Sequence, residues 1–188
     1  MIKKESSKTK LIKTASRLFQ LQGYHATGLN QITKESGAPK GSLYYHFPEG
    51  KEQLAIESVQ LTTKFVSEGI EQGLNKFVDP IEAIQNFIIE LAGQFKKERY
   101  QEGVPIAAVA LETALVSEPL RKACQSSYES FQQLFTQKLI NSGFEKKRAE
   151  ELGIVINSMV EGAFLVSFTF GNNEPLLLLA KQIPVLLQ

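Results

Sequence analysis

Between Ser36 and Lys51 the chain gathers three glycines, two prolines, two adjacent tyrosines and a histidine, in the order Ser36-Gly37-Ala38-Pro39-Lys40-Gly41-Ser42-Leu43-Tyr44-Tyr45-His46-Phe47-Pro48-Glu49-Gly50-Lys51. Gly37 suits a turn. Pro39 suits the first helical position, where a missing N–H costs nothing and the fixed φ already fits a helix. The spacing predicts a helix of one to two turns from Pro39 to His46. Lys40, Ser42, Tyr44, Tyr45 and His46 crowd it with polar groups, leaving Leu43 and Phe47 to face a core. An ordinary core helix does not collect polar groups in this way. The run reads as the second half of a helix-turn-helix, with its outer face turned to DNA.

The rest of the chain supplies helices around it. Leu11, Ala15, Leu18, Phe19 and Gln22 fall at helical spacing, predicting a helix over residues 7–22 that stops at Gly23. Thr27 fits an N-cap for a second helix over 28–35, with Leu29 and Ile32 inward. From about Gly50 to Asn75 runs a longer helix with two apolar stripes, Leu54, Leu61 and Phe65 on one and Ala55, Val59, Val66 and Ile70 on the other. Asp79-Pro80-Ile81-Glu82 is a helix start, with Asp as cap and Pro first. Lys96 to Gly103 reads as a polar loop, and Pro105 to Val116 as a buried helix. Ser117-Glu118-Pro119 opens a helix to about Ser142-Gly143. Glu145 to Phe170 forms another, and Pro175 to about Leu187 the last, kinked or shortened by Pro184. With no strand signal and no repeat, the fold class is all-α: three helices in an N-terminal head and about six in a C-terminal body. The division falls at residues 1–49 and 50–188.

Charge separates the same two parts. Residues 1–51 hold nine Lys/Arg against three Asp/Glu, and residues 52–188 hold twelve against seventeen, so a +6 head sits on a −5 body. A polyanion partner then meets the head alone; a solvated basic tail is the plainer reading of the same charges. The single cysteine, Cys124, excludes a disulfide framework within the chain and is compatible with a reducing cytoplasm. The basic N-terminus is not followed by the apolar run of a secretory signal. No apolar stretch is expected to approach a membrane span of about 18 residues: the run Pro175 to Ala180 is too short, and Glu161 interrupts the apolar stretch before it. Neither His25 nor His46 has a partner at metal-ligand spacing, so no metal site is expected, and no cofactor. No nucleophile–base pair or phosphate loop points to an enzyme.

The head resembles the tetracycline-repressor (TetR) family. The carrying residues are Ala15-x-x-Leu18-Phe19-x-x-x-Gly23-Tyr24-x-x-Thr27, then Ile32, Ser36-Gly37, Lys40-Gly41-Ser42-Leu43-Tyr44-Tyr45-His46-Phe47 and Lys51-Glu52-x-Leu54. The remainder is similar to the LmrA/YxaF-type subgroup, through Gly28 to Ile32, Phe47 to Glu52, Ser117 to Arg121 and Ile156 to Gly162. One departure lies in the linker, where Pro48, Glu49 and Gly50 stand between phenylalanine and lysine in place of the usual two residues.

The resemblance implies a homodimeric, cytoplasmic transcriptional repressor whose short helices enter the major grooves of a palindromic operator. DNA contacts are then expected from Thr27, Lys40, Gly41, Ser42, Tyr44, Tyr45, His46 and Lys51. Lys40 and Ser42 are placed for base edges, Gly41 for close backbone approach, and Thr27, Tyr45, His46 and Lys51 for phosphates. Tyr44 could instead lie partly buried against the first helix. In the body, polar groups isolated on apolar helices, together with aromatic area, suggest a pocket for a small hydrophobic effector. Its expected lining is Phe65, Phe87, Phe95, Val109, Glu112, Thr113, Phe131, Phe135, Asn157 and Glu161. The subgroup implies a flavonoid- or drug-like compound. Ser158 and Gly162, with Leu176, Leu179 and Ile183, are expected to form a four-helix dimer interface. Two other classes remain open: an all-α carrier of hydrophobic molecules without DNA binding, and an activator on the same fold.

Overall fold

The structure, a computed structural model, describes residues 5–95 and 106–188. Among these residues it contains nine α-helices and no strand: α1 Ser7–Gln22, α2 Leu29–Ser36, α3 Lys40–His46, α4 Lys51–Leu74, α5 Pro80–Gln94, α6 Ala107–Thr113, α7 Glu118–Asn141, α8 Lys146–Phe170 and α9 Glu174–Leu186. The polar loop expected from Lys96 and the helix start expected at Pro105 lie outside the described residues. Among the described residues the chain forms two compact units, residues 5–64 with 106–127, and residues 65–95 with 128–188.

In the first unit α1 starts at Ser6, whose hydroxyl accepts the Thr9 N–H at 3.1 Å, and stops at Gly23 with φ +83°. Leu11, Ala15, Leu18, Phe19, Ile32, Leu43, Phe47, Leu54 and Ala55 form its core. Gly37, at φ +63°, is the left-handed residue that turns α2 into α3. Pro39 caps α3 from just outside rather than standing inside it. The cap of α2 is Gly28, not Thr27, whose hydroxyl instead donates to the Gly23 carbonyl at 2.7 Å.

The expectation of a buried sixth helix does not hold. Over residues 106–116, Ile106, Val109 and Thr113 face inward, but Leu111, Leu115 and Val116 are exposed, and α6 ends at Thr113. A nearly continuous apolar run carries no face information, and this one presents apolar residues on both sides.

The second unit is held by α5 against α9 and α8 against α9. Asp79 caps α5 by accepting the Glu82 N–H at 2.8 Å. Gln85 donates to the Ala180 carbonyl and Asn173 to the Ala92 carbonyl, both at 2.9 Å, so side chains tie α5 to α9 at two levels. The Phe87 and Phe135 rings meet edge-on at 5.9 Å, and Phe95 and Phe164 at 5.0 Å. Pro184 lies inside α9 without ending it.

Helix α8 corrects another expectation. It holds an 18-residue window of mean hydropathy 1.6, long and apolar enough by length and composition to cross a membrane despite Glu161. Here it packs on α9 and approaches α7 at Gly153. A Cβ on Gly153 would stand 2.1 Å from Thr136 Oγ1 and 2.9 Å from the Gln132 carbonyl oxygen, so α7 itself would have to move. Gly153→Ala should therefore lower stability by about 1–3 kcal/mol in urea denaturation, as overpacking does. An unchanged midpoint would show that α7 and α8 can separate freely.

Candidate nucleic-acid interface

Helix α3 has seven residues, too few to persist alone in water. Leu43 and Phe47, at 1% and 0% exposure, hold it on the core. That anchoring decides what faces out. Lys40, Gly41, Tyr44 and Tyr45 are exposed, while Ser42 and His46 are partly buried beside them. Tyr44 does not fold back on α1; it is 64% exposed and Tyr45 81%. The Tyr45 and His46 rings meet edge-on at 4.9 Å. Two large aromatic rings in water beside a lysine form a surface with hydroxyl and ammonium donors suited to phosphate and base edges.

The cations of this unit divide into engaged and available. Lys8 pairs with Glu57 at 2.8 Å, Lys13 with Glu5 at 2.6 Å, and Arg17 with Glu35. Hydrogen bonds from Gln31 and Arg17 hold the Glu35 carboxyl below its ordinary range. Lys10, Lys34 and Lys40 have no ion pair among the described residues, and Lys34 and Lys40 flank the turn between α2 and α3.

Thr27 and Lys51 are already engaged within the first unit. Thr27 is fully buried; besides donating to Gly23 it accepts a hydrogen bond from Gln22 at 3.2 Å. The Lys51 ammonium lies 4.4 Å from the centre of the Tyr24 ring and donates to the His25 carbonyl at 3.5 Å. Burial lowers its pKa, partly offset by the nearby Glu112 carboxylate.

The residues expected to line an effector pocket fall into both compact units. Val109, Glu112 and Thr113 belong to the first, where Thr113 is fully buried and its hydroxyl donates to the Val109 carbonyl at 2.7 Å. Glu112 turns to the α1–α2 turn, and Oε2 accepts the His25 N–H at 2.7 Å. The other seven belong to the second unit. Phe131, Phe135 and Asn157 are buried there, Phe87, Phe95 and Glu161 partly buried, and Phe65 points outward at 57% exposure. Asn157 and Glu161 lie one turn apart on α8, and burial raises the Glu161 carboxyl to about 7.

Of the residues expected at a dimer surface, those on α9 turn inward. Leu176, Leu179 and Ile183 are buried in the chain's own core. Leu178 and Val185 point outward instead, at 51% and 66% exposure. On α8 Ser158 and Gly162 are exposed as expected, among outward Ile154, Val155, Met159, Leu165, Val166 and Phe170. A Cβ on Gly162 would meet nothing within 4 Å. The run Leu176 to Ala180 is apolar on every side of its helix, a pattern that implies cover on two faces.

Comparison with known proteins follows the same division. Residues 11–57 match the family model for bacterial regulatory proteins of the tetR family. Residues 80–182 match the model for the C-terminal domain of LmrA/YxaF-like transcriptional regulators. The HTH-type transcriptional regulator YxaF of Bacillus subtilis is 53% identical over 188 residues, covering 100% of this chain and 98% of that protein. The regulator LmrA of the same organism is 49% identical over 182 residues, covering 97% of each. Among solved structures, reduced E. coli NemR aligns with a TM-score of 0.84 at 20% identity over 95% of each chain. A TetR regulator from Legionella pneumophila aligns with a TM-score of 0.83 at 20% identity over 98% of each. At such identity the two structures speak for the fold alone.

The Glu161 carboxyl sets a pH dependence. Its folded pKa of about 7 lies above the ordinary 4.5, so between those values the folded state holds a proton that the unfolded state releases. Its contribution to stability is complete below the unfolded value and lost as pH rises through the folded one. The urea midpoint should fall between about pH 5 and pH 7.5, and Glu161→Gln should flatten that fall. An identical pH profile in the variant would count against it.

Proposed function

This chain belongs to the TetR family of bacterial transcriptional regulators and carries an LmrA/YxaF-like C-terminal domain, and from that premise we propose that it is a repressor that binds a palindromic operator as a homodimer and is released by a small hydrophobic effector. Residues 1–49 read DNA, and residues 50–188 bind the effector and dimerise. The family consists of regulators rather than enzymes, and we assign this chain no catalytic role, no cofactor and no membrane partner. Its place of action is the cytoplasm, where its operator would lie.

The observation that carries the reading is the outer face of α3, with Tyr44, Tyr45 and Lys40 in solvent immediately after the Gly37 turn. Lys40 and Ser42 approach base edges, Gly41 brings the backbone close, and Tyr44, Tyr45 and His46 bond phosphates or meet a thymine methyl. Thr27 is left out of this contact set because its hydroxyl is buried and already spent on Gly23. Lys51 takes a phosphate only by leaving Tyr24. Lys10 and Lys34 add attraction without sequence preference, which weakens with salt.

Dimerisation is supported by the outward apolar residues of α8 and α9, which a single chain leaves in water. Two heads joined in this way meet half-sites about 34–36 Å apart. The effector must bind the form that does not fit the operator better than the form that does, or release does not follow. Its hydrophobic and aromatic character is supported by Phe87, Phe95, Phe131, Phe135 and Phe164, and its polar anchor by Asn157 and Glu161. A flavonoid- or drug-like compound meets that description.

Tyr45→Ala should weaken operator binding by about tenfold, as loss of a central contact does, with an unchanged thermal unfolding curve. Unchanged affinity in a fluorescence-anisotropy titration would remove Tyr45 from the interface. In gel-shift titrations flavonoids or lincosamide-type drugs should free the operator; retention with every hydrophobic compound tried would contradict the effector assignment.

A further inference from the structure

We propose that Glu112 is a positioning residue for DNA reading: its carboxylate clamps the Gly23–His25 turn and so sets how α2 and α3 meet the duplex. The proposal rests on the DNA-reading assignment above and adds to it a residue far from α3 in sequence.

Glu112 reaches the turn in two ways. Oε2 accepts the His25 N–H at 2.7 Å, and Oε1 occupies the space that a side chain on Gly23 would need, 1.8 Å from the position of a Cβ there. Gly23 is required for its φ of +83°, and its missing side chain leaves the room that the Glu112 carboxylate takes. Lys51 completes the arrangement from the start of α4, with its ammonium over Tyr24, a hydrogen bond to the His25 carbonyl and attraction from Glu112. Nearby, the residue before α7 is tied to the start of α4, as the Ser117 hydroxyl donates to Glu52 Oε2 at 2.8 Å while accepting the Leu120 N–H.

Within the turn itself, the buried Thr27 hydroxyl donates to the Gly23 carbonyl. Helix α2 starts at Gly28 without a side-chain cap, and His25 and Ala26 are exposed. Helix α6 and the residues just after it keep only part of their apolar surface inside, since Leu111, Leu115 and Val116 face water. The polar contacts at the turn therefore add to the packing of Val109 and Thr113 in setting the register between α6 and the α1–α2 corner. A carboxylate in a DNA-reading unit also repels approaching phosphate, and here the His25 N–H and the Lys51 ammonium partly offset its charge. Base-edge contacts tolerate little misplacement, whereas attraction to phosphates tolerates more. Loosening the corner should cost specific binding before unspecific binding.

The test uses the full chain, a duplex enriched from a random pool by the wild-type protein, and a random duplex as control, read by fluorescence anisotropy. Glu112→Ala should bind the enriched duplex about tenfold more weakly and the random duplex within about twofold of wild type, with cooperative thermal unfolding retained. Glu112→Gln keeps an oxygen for the His25 N–H and should stay within about threefold on the enriched duplex. Glu112→Asp, drawn back by one methylene, should resemble alanine, and it serves as the measure if the alanine variant does not fold. Wild-type affinity of the alanine or aspartate variant for the enriched duplex overturns the proposal. So does an equal loss on both duplexes, which marks a general loss of fold. If the wild-type chain enriches no sequence at all, the DNA-reading assignment falls and the positioning role falls with it.

Discussion

The burial of Leu43 and Phe47 is the interaction on which the exposed face of α3 depends. A helix as short as α3 has no stability of its own, because its few hydrogen bonds do not offset the cost of starting it. It exists because two side chains of its inner face join Leu11, Leu18, Phe19, Ile32 and Leu54 in one core. The same anchoring forces Tyr44 and Tyr45 outward. Exposing two aromatic rings is unfavourable for a monomer in water, and it becomes useful when a partner covers them.

The second unit shows the same logic at larger scale. Helices α8 and α9 bury one side in the chain's own core and leave Ile154, Met159, Leu165, Val166, Leu178 and Val185 in solvent. Polar side chains from Gln85 and Asn173 fix α5 on α9, so the outward face is presented on a braced support. Glu161 sits within this apolar helix at the cost of a raised pKa, a sign that its surroundings do not solvate a charge well.

Much of the fold was legible in the sequence because its signals are local. Gly23 and Gly37 mark chain reversals that need a positive φ, Asp79-Pro80 marks a capped start, and the stripe from Leu11 to Phe19 marks a buried face. The errors came where the local signal is uniform. The run Ile106 to Val116 and the run Leu176 to Ala180 are apolar on all sides, so periodicity could not say which residues face the core. Thr27 failed for another reason. Its hydroxyl had two backbone targets within reach, and only the geometry of the turn decided for the Gly23 carbonyl.

By itself, the sequence determined the all-α class, the helix-turn-helix with its polar short helix, the basic head and the family. Each of these is written in residues close together in the chain or in the sum of their charges. Only the tertiary structure decided that Leu178 and Val185, not Leu176 and Ile183, face outward on α9, that Lys51 lies on Tyr24, and that Glu112 grips the corner of the head. Those outcomes depend on which distant segments meet. The carboxylate of Glu112 and the amide of His25 are 87 positions apart, and no spacing rule along the chain connects them.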